Sequence, residues 1–548
     1  MQTIIRLIYA NARHLMLLTF WPAWAVAAQA ATTPDFYAST SGTNERQTIT
    51  ASLQVADADA GQQGSIYLAA YAQGVWFVHA GADWQPWLGG ALPAYASGML
   101  TNRSIEVVRD LDAAAFAGTR VYLGYGRNET DMFANGKYAL IHTVAAPMNE
   151  ARSNLPRSSS TALTAAERQE LSAGNLAFAL DLYRQLSNDS QRGSDNLFFS
   201  PLSISVAMAM TYVGARGGTA DEMASALRFT LPQERLHPAF GWLDLELENR
   251  GQGAQGKDSQ PFRLAVSNSL WGEREAGFAA PFLDTLAQHY GAGIKLLDFI
   301  VSPDPSRLRI NDWVAQRTEQ RIRNLLPDGS ISSDTRLVLV NAVYFNAAWQ
   351  HQFSATATTD ASFKQLDGAT TTVALMNQTE YLSYAEGNGY QAVELPYDGG
   401  ELSMLVLLPT AGQFLAFEQT LDSTRFAEIQ AALRSSYVRL GLPKFKLEGG
   451  FSVKAALQAL GMNAAFGDAA DFSGISTSAG WRIFDIYHKS YADVDERGTE
   501  AAAATGVVVG VTSVPPEPIV FRADRPFLFA ILDRTTNTMV FLGRFVAP

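Results

Sequence analysis

The stretch that decides the fold is ERGTEAAAATGVVVGVTSVPP, residues 496–516. From Ala501 to Pro516 it carries no charge. Its first half is built of small residues and its second of valine, a strong strand former. A static buried strand is the plainest account of such a run. Four alanines in a row, however, fill a core strand poorly, and an alanine helix does not usually run on into Val507-Val508-Val509. The pattern fits better a segment that is a mobile loop in one state and a buried strand in another. In strand alternation Thr499, Ala501, Ala503, Thr505, Val507 and Val509 share one face, and Glu500, Ala502, Ala504, Gly506 and Val508 the other. No residue of the first face is charged, bulky or proline. That face could therefore enter a packed sheet without burying an unpaired charge.

Working outward, GTEAAAA (498–504) resembles the reactive-loop hinge of inhibitory serpins, and the likeness continues in chain order. FRADRPFLFAI (521–531) looks like the serpin signature that follows the loop. NLFFSPLS (196–203) with GARGGTA (214–220) resembles the family's helix B and the turn after it, and NAVYFNAAW (341–349) and YHKSY (487–491) also fit. These motifs span residues 165–548, a length suited to one serpin domain of α+β type: a large central β-sheet, helices and an exposed reactive loop.

The resemblance implies a mechanism. A target serine protease attacks the loop as substrate and forms an acyl-enzyme. The cut loop then inserts into the central sheet, and deacylation stalls. The hinge would comprise Glu496, Gly498, Thr499, Glu500, Ala501, Ala502, Ala503 and Ala504. Family spacing from Gly498 puts the scissile bond at Thr512–Ser513, with Val511–Thr512 as the alternate. The fourteen residues Thr499–Thr512 would span about 46 Å as a strand, enough to cross such a domain. Residues before the bond are small and uncharged, and neither Arg nor Lys occurs between Arg497 and Arg522, so an elastase-like or subtilisin-like protease is the expected partner. By the same resemblance Ser200, Ser203, Asn341 and His488 match the shutter under the sheet, Trp349 the breach tryptophan, and Lys444 the breach lysine that pairs with Glu496. Read without the resemblance, these are ordinary capped or satisfied polar groups, a core tryptophan and a solvated pair.

The rest of the chain bounds the reading. It has 548 residues, a net charge of −12, no cysteine, 47% hydrophobic and 17% charged residues, against about 25% charged in average domains. The charge argues against a nucleic-acid partner; the lack of cysteine removes disulfides and thiolate metal sites. Residues 1–30, with Arg6, Arg13 and His14 before an apolar run and Ala28-Gln29-Ala30 after it, read as a cleaved signal peptide rather than a membrane span. A cysteine-free exported chain suits a bacterial periplasmic or secreted protein.

Residues 31–145 read as a small all-β sandwich-like module of unassigned function, whose short runs are separated by Gly, Asn and Asp. Its Trp76, Trp84 and Trp87 suit a core or turn better than a ligand surface. Residues 146–164 read as a linker. Neither the module nor the length of the segment after Glu517 belongs to the usual serpin.

Seven scattered histidines offer no metal site, and no Gly-x-Ser-x-Gly elbow occurs. Gly251–Lys257 has the spacing of a phosphate loop, but Asp258 stands where magnesium needs Ser or Thr, so the stretch reads as a flexible surface loop. With no catalytic constellation, no cofactor and no metal, the chain is expected to be a monomeric inhibitor and no enzyme. The rival is a non-inhibitory serpin acting as a binding or chaperone-like protein. Such members often place proline, charge or bulk on the inserting face, and this sequence places none.

Overall fold

The computed structural model describes residues 34–42, 46–72, 74–113, 115–144, 149–158, 163–189, 195–258, 260–476, 480–499 and 517–548. The expected signal peptide, Glu500, Ala501 to Ala504, and Thr512 and Ser513 lie outside them. The chain divides into two compact units, Met1–Met148 and Asn149–Pro548.

In the first unit Arg46–Gln54 alternates strictly, so that Ile49, Ala51 and Leu53 turn inward while Thr48, Thr50 and Ser52 stay half-buried. It pairs between Asp35–Gly42 and Arg103–Asp112 in one antiparallel sheet. A second sheet runs Trp84–Pro86, Val75–His79, Gln63–Ala72, Arg120–Gly126, Tyr138–Thr143, with Ala96–Met99 also on Gln63–Ala72. Ile49 and Val107 from one sheet and Leu68 and Leu123 from the other share a core, and the Trp84 indole N–H donates across to the Val107 carbonyl at 3.0 Å. This is the small all-β module.

The second unit is built on two sheets. Among the described residues the larger unit's central sheet has seven strands: β1 (Asn149–Ala151), β2 (Arg263–Glu273), β3 (Ile294–Leu297), β4 (Leu337–Ala348), β5 (Phe445–Ser452), β6 (Ile486–Asp495) and β7 (Gly498–Thr499). Their order across it is β1-β3-β2-β4-β7-β6-β5. Strand β4 is buried along its whole length, as its unbroken apolar run LVLV and AVYF requires of a strand covered on both faces. A nine-stranded sheet, including Leu402–Pro409, Phe527–Asp533 and Thr538–Phe545, lies against it. Phe345 of β4 meets Phe541 of that sheet with ring centroids 6.0 Å apart.

Helix α1 (Ala165–Ser187) starts on a Thr164–Glu167 capping box. Helix α2 (Pro201–Tyr212) starts on Ser200 with proline at its first position and is buried almost throughout. Strand β1 falls within the stretch expected to link the units. That stretch is tied down by Ser153 on Asp284 and Arg157 on Glu248, pairings that hydrophobic periodicity does not reveal. Among the described residues no helix is long and apolar enough to cross a membrane.

Candidate functional site: the mouth and seam of the central sheet

Strand β6 ends at Asp495, turns through Glu496-Arg497 and returns as β7. The two residues of β7 lie between β4 and β6: Thr499 faces Ala347 on one side and Val494 on the other, and Gly498 faces Ala348 and Asp495. Both contacts are antiparallel. Gly498 is dictated by space, because a Cβ there would lie 2.1 Å from the Ala347 carbonyl oxygen. Thr499 is 2% exposed, and its hydroxyl lies 3.0 Å from that of Tyr397. The Tyr397 ring stacks on Trp349 at 4.6 Å.

Trp349 fixes the turn. Its indole N–H donates to the Asp495 carbonyl at 2.9 Å and its backbone N–H to the Arg497 carbonyl at 2.8 Å. Glu496, 12% exposed, pairs with Lys444 at 2.9 Å and accepts from the Thr358 hydroxyl at 2.7 Å. Burial opposes its ionisation, but these two bonds outweigh that and hold its carboxyl below the usual range. Lys444 is 41% exposed, so the pair contributes no more than about 1 kcal/mol.

Beyond the hinge, β4 and β6 pair directly, in parallel, only along Leu339–Val343 and Ile486–Ser490. The middle rung sets Asn341 opposite His488. Both are wholly buried, as are Ser200 and Ser203. His488 Nε2 accepts the Ser200 backbone N–H at 3.1 Å, so its proton sits on Nδ1 and is donated to the Asn341 side-chain oxygen. Asn341 donates to the Ser203 hydroxyl at 2.5 Å and to Asn268 at 2.8 Å, and Ser203 donates to Asn268 at 2.8 Å. The Ser200 hydroxyl donates to the Val540 carbonyl. Burial pushes His488 down to about 3, which keeps the cluster neutral. The structure thus brings Ser200, Ser203, Asn341 and His488 into one network across the β4–β6 ladder, and Trp349, Lys444, Glu496, Gly498 and Thr499 into a second at its mouth.

Several residues at the site were not singled out in the sequence, among them Tyr397 and Thr358 at the mouth, and two bear directly on the seam. Asn268 is one; its only signal is a polar residue in the strand run before Leu270-Trp271. Lys257 is the other, and it corrects the account of Gly251–Lys257 as a flexible surface loop. Its side chain is fully buried, with Nζ 2.8 Å from the Asp493 carbonyl and 3.1 Å from the Asp495 carboxylate. Burial lowers its pKa, partly offset by Asp495 and Asp493. Glycine-rich composition conceals this: Gly251 and Gly253 do take positive φ (71° and 78°), but the Lys257 backbone N–H is held by the Asn346 side-chain oxygen and its ammonium by the Asp493 carbonyl.

Comparison with known proteins agrees with this geometry. The family model Serpin (serine protease inhibitor) matches residues 173–548. An uncharacterised serpin-like protein of Thermococcus kodakarensis is 38% identical over 374 residues, 68% of this chain and 84% of that protein. The leukocyte elastase inhibitor of Bos taurus is 37% identical over 389 residues, 69% of this chain and all of that protein. Among solved structures, the native state of the thermophilic serpin tengpin covers 73% of this chain and all of its own at a TM-score of 0.64 and 27% identity. These matches correct the expectation of no enzyme in its ground: the family's description and the bovine relative's name speak of protease inhibition, whereas that expectation rested on motifs the sequence lacks.

Proposed function

Because the chain belongs to the serpin family, we propose that it inhibits serine proteases as a suicide substrate. The observation that carries this is the seating of Gly498-Thr499 between β4 and β6: the sheet already accepts the first residues of the hinge as a strand. In this reading the protease's serine attacks the Thr512 carbonyl. The ester to the enzyme forms as the bond to Ser513 breaks, and the Ser513 amine leaves with the proton. Residues 499–512 then continue β7 down the sheet, and the trapped ester does not hydrolyse.

The side chains around the seam have roles in that movement. Trp349 and the Lys444–Glu496 pair hold the hinge at the entry point. Ser200, Ser203, Asn341 and His488 form the bonded cluster beneath the strands that part. The inserting face carries no charge, which supports an inhibitor over a non-inhibitory member. The small uncharged residues before Ser513, and the name of the bovine relative, support an elastase-like target, with subtilisin-like enzymes as the second class. Residues 1–30 act as a cleaved export signal, and the monomer works outside the cytoplasm with 31–145 as an appended module.

Mixing the protein with pancreatic elastase and with a subtilisin, then running denaturing gels and intact mass, tests this. An SDS-stable adduct at the summed mass, with a released peptide starting at Ser513, is expected. Complete loop cleavage by both enzymes with no adduct would reject the trapping step.

A further inference from the structure

The rung next to the hinge is occupied. In the ladder that pairs Thr499 with Ala347 and Val494, the next positions are Asn346 on β4 and Asp493 on β6. The direct β4–β6 pairing ends at Val343 and Ser490, so neither position meets the opposing strand. Lys257 stands between them. Its backbone N–H donates to the Asn346 side-chain oxygen at 2.8 Å, and its ammonium donates to the Asp493 carbonyl at 2.8 Å. The same ammonium lies 3.6 Å from the Asp493 carboxylate and 3.1 Å from that of Asp495.

The loop that carries it is anchored on β4. The Ala348 N–H donates to the Gln255 carbonyl at 3.0 Å. The close approach is fitted to glycine: a Cβ on Gly256 would lie 2.5 Å from the Asn346 side-chain oxygen.

We propose that Lys257 is a positioning residue for loop insertion, a latch that ties β4 to β6 at the rung the inserting strand must take next. The inference rests on the insertion mechanism proposed above. A strand entering between β4 and β6 satisfies backbone acceptors on its flanks with its own N–H groups. The Asp493 carbonyl is one of these acceptors, and the lysine now fills it. Insertion therefore brings the strand's N–H into competition with the ammonium for that carbonyl, and the lysine has to give ground before the strand can advance past Thr499. The latch exists in the intact form and is exchanged for strand hydrogen bonds in the inserted one. Its loss destabilises the intact form selectively, because a buried ion pair broken on one side leaves an uncompensated group.

The test compares wild type, Lys257→Met, Lys257→Arg and Asp495→Asn. Each is melted intact and after loop cleavage, and the spontaneous passage of the intact protein to the heat-resistant inserted form is followed at a fixed temperature below melting. Lys257→Met should lower the melting point of the intact form, leave that of the cleaved form unchanged and speed the conversion on the order of tenfold or more. Lys257→Arg should keep most of the wild-type behaviour. Should Lys257→Met fail to fold, Asp495→Asn removes the partner charge and should act in the same direction. Equal shifts in intact and cleaved forms, or an unchanged conversion rate, would assign the lysine a plain structural role and overturn the proposal. Failure of the insertion reading itself shows in wild type alone, as a cleaved form that melts no higher than the intact one, and overturns both.

Discussion

His488 shows how much a single residue can decide. The unfolded chain protonates this imidazole near 6.5, whereas burial in the fold lowers it to about 3. The unfolded state therefore binds the proton first. The stability tied to the neutral ring is complete above about pH 6.5 and is lost as pH falls towards 3, by up to about 1.4 kcal/mol per unit. His237, also buried and lowered to about 3, shares that window. The melting point of the intact protein should fall between pH 7 and pH 4, and His488→Gln should make that slope shallower. An unchanged slope in the variant would place the titration elsewhere. The motif YHKSY marked this histidine, but not its tautomer. The tautomer depends on the Ser200 N–H and the Asn341 oxygen, which come from positions 288 and 147 residues away, and no sequence pattern encodes which ring nitrogen meets which.

At the scale of elements, legibility followed periodicity. The run Leu337–Phe345 reads as a strand buried on both faces, and β4 is one. Asn175–Leu186 reads as helical and falls in α1, and Pro201–Val213 reads as helical and covers α2 with Val213 as its C-cap. Asp35–Gly42 escaped because its alternating Ser, Thr and Ala give little apolar signal; it is a strand through its pairing with Arg46–Gln54. The two-residue β7 is too short for any period, and only the register of its neighbours makes it a strand.

That register also sets a prediction. Thr499, like Gly498, lies between β4 and β6, and its side chain meets the hydroxyl of Tyr397, whose ring stacks on Trp349. Thr499→Arg would put a guanidinium into this buried pocket, at a cost of several kcal/mol to every state in which β7 is seated in the sheet. The variant should be cleaved at the same bond, yield little or no covalent adduct with elastase and consume many more equivalents per enzyme inactivated. Full trapping at wild-type stoichiometry would refute insertion through this face.

For the whole molecule the decisive property is a sheet left incomplete. Strands β4 and β6 stop pairing directly above Val343 and Ser490, and among the described residues the two of β7 and the side chain of Lys257 stand in the gap. Directly below, they form a parallel ladder, a slightly weaker pairing per residue than an antiparallel one. A strand entering the whole length would replace that ladder with antiparallel contacts on both flanks and would bury the small, uncharged face that begins at Thr499. On the insertion mechanism proposed above, the intact fold is a state that covalent continuity of the loop holds back from a better-bonded one. Cleaving the loop removes the restraint, so the cleaved protein should melt far above the intact protein, with the gain confined to the unit Asn149–Pro548. The first unit has its own core of Ile49, Leu68, Leu123 and their neighbours, so its transition should stay where it was. Calorimetry of both forms resolves the two transitions. A cleaved protein whose larger unit melts at the intact temperature would mean that the loop, once cut, stays out of the sheet, and that the gap between β4 and β6 serves some end other than insertion.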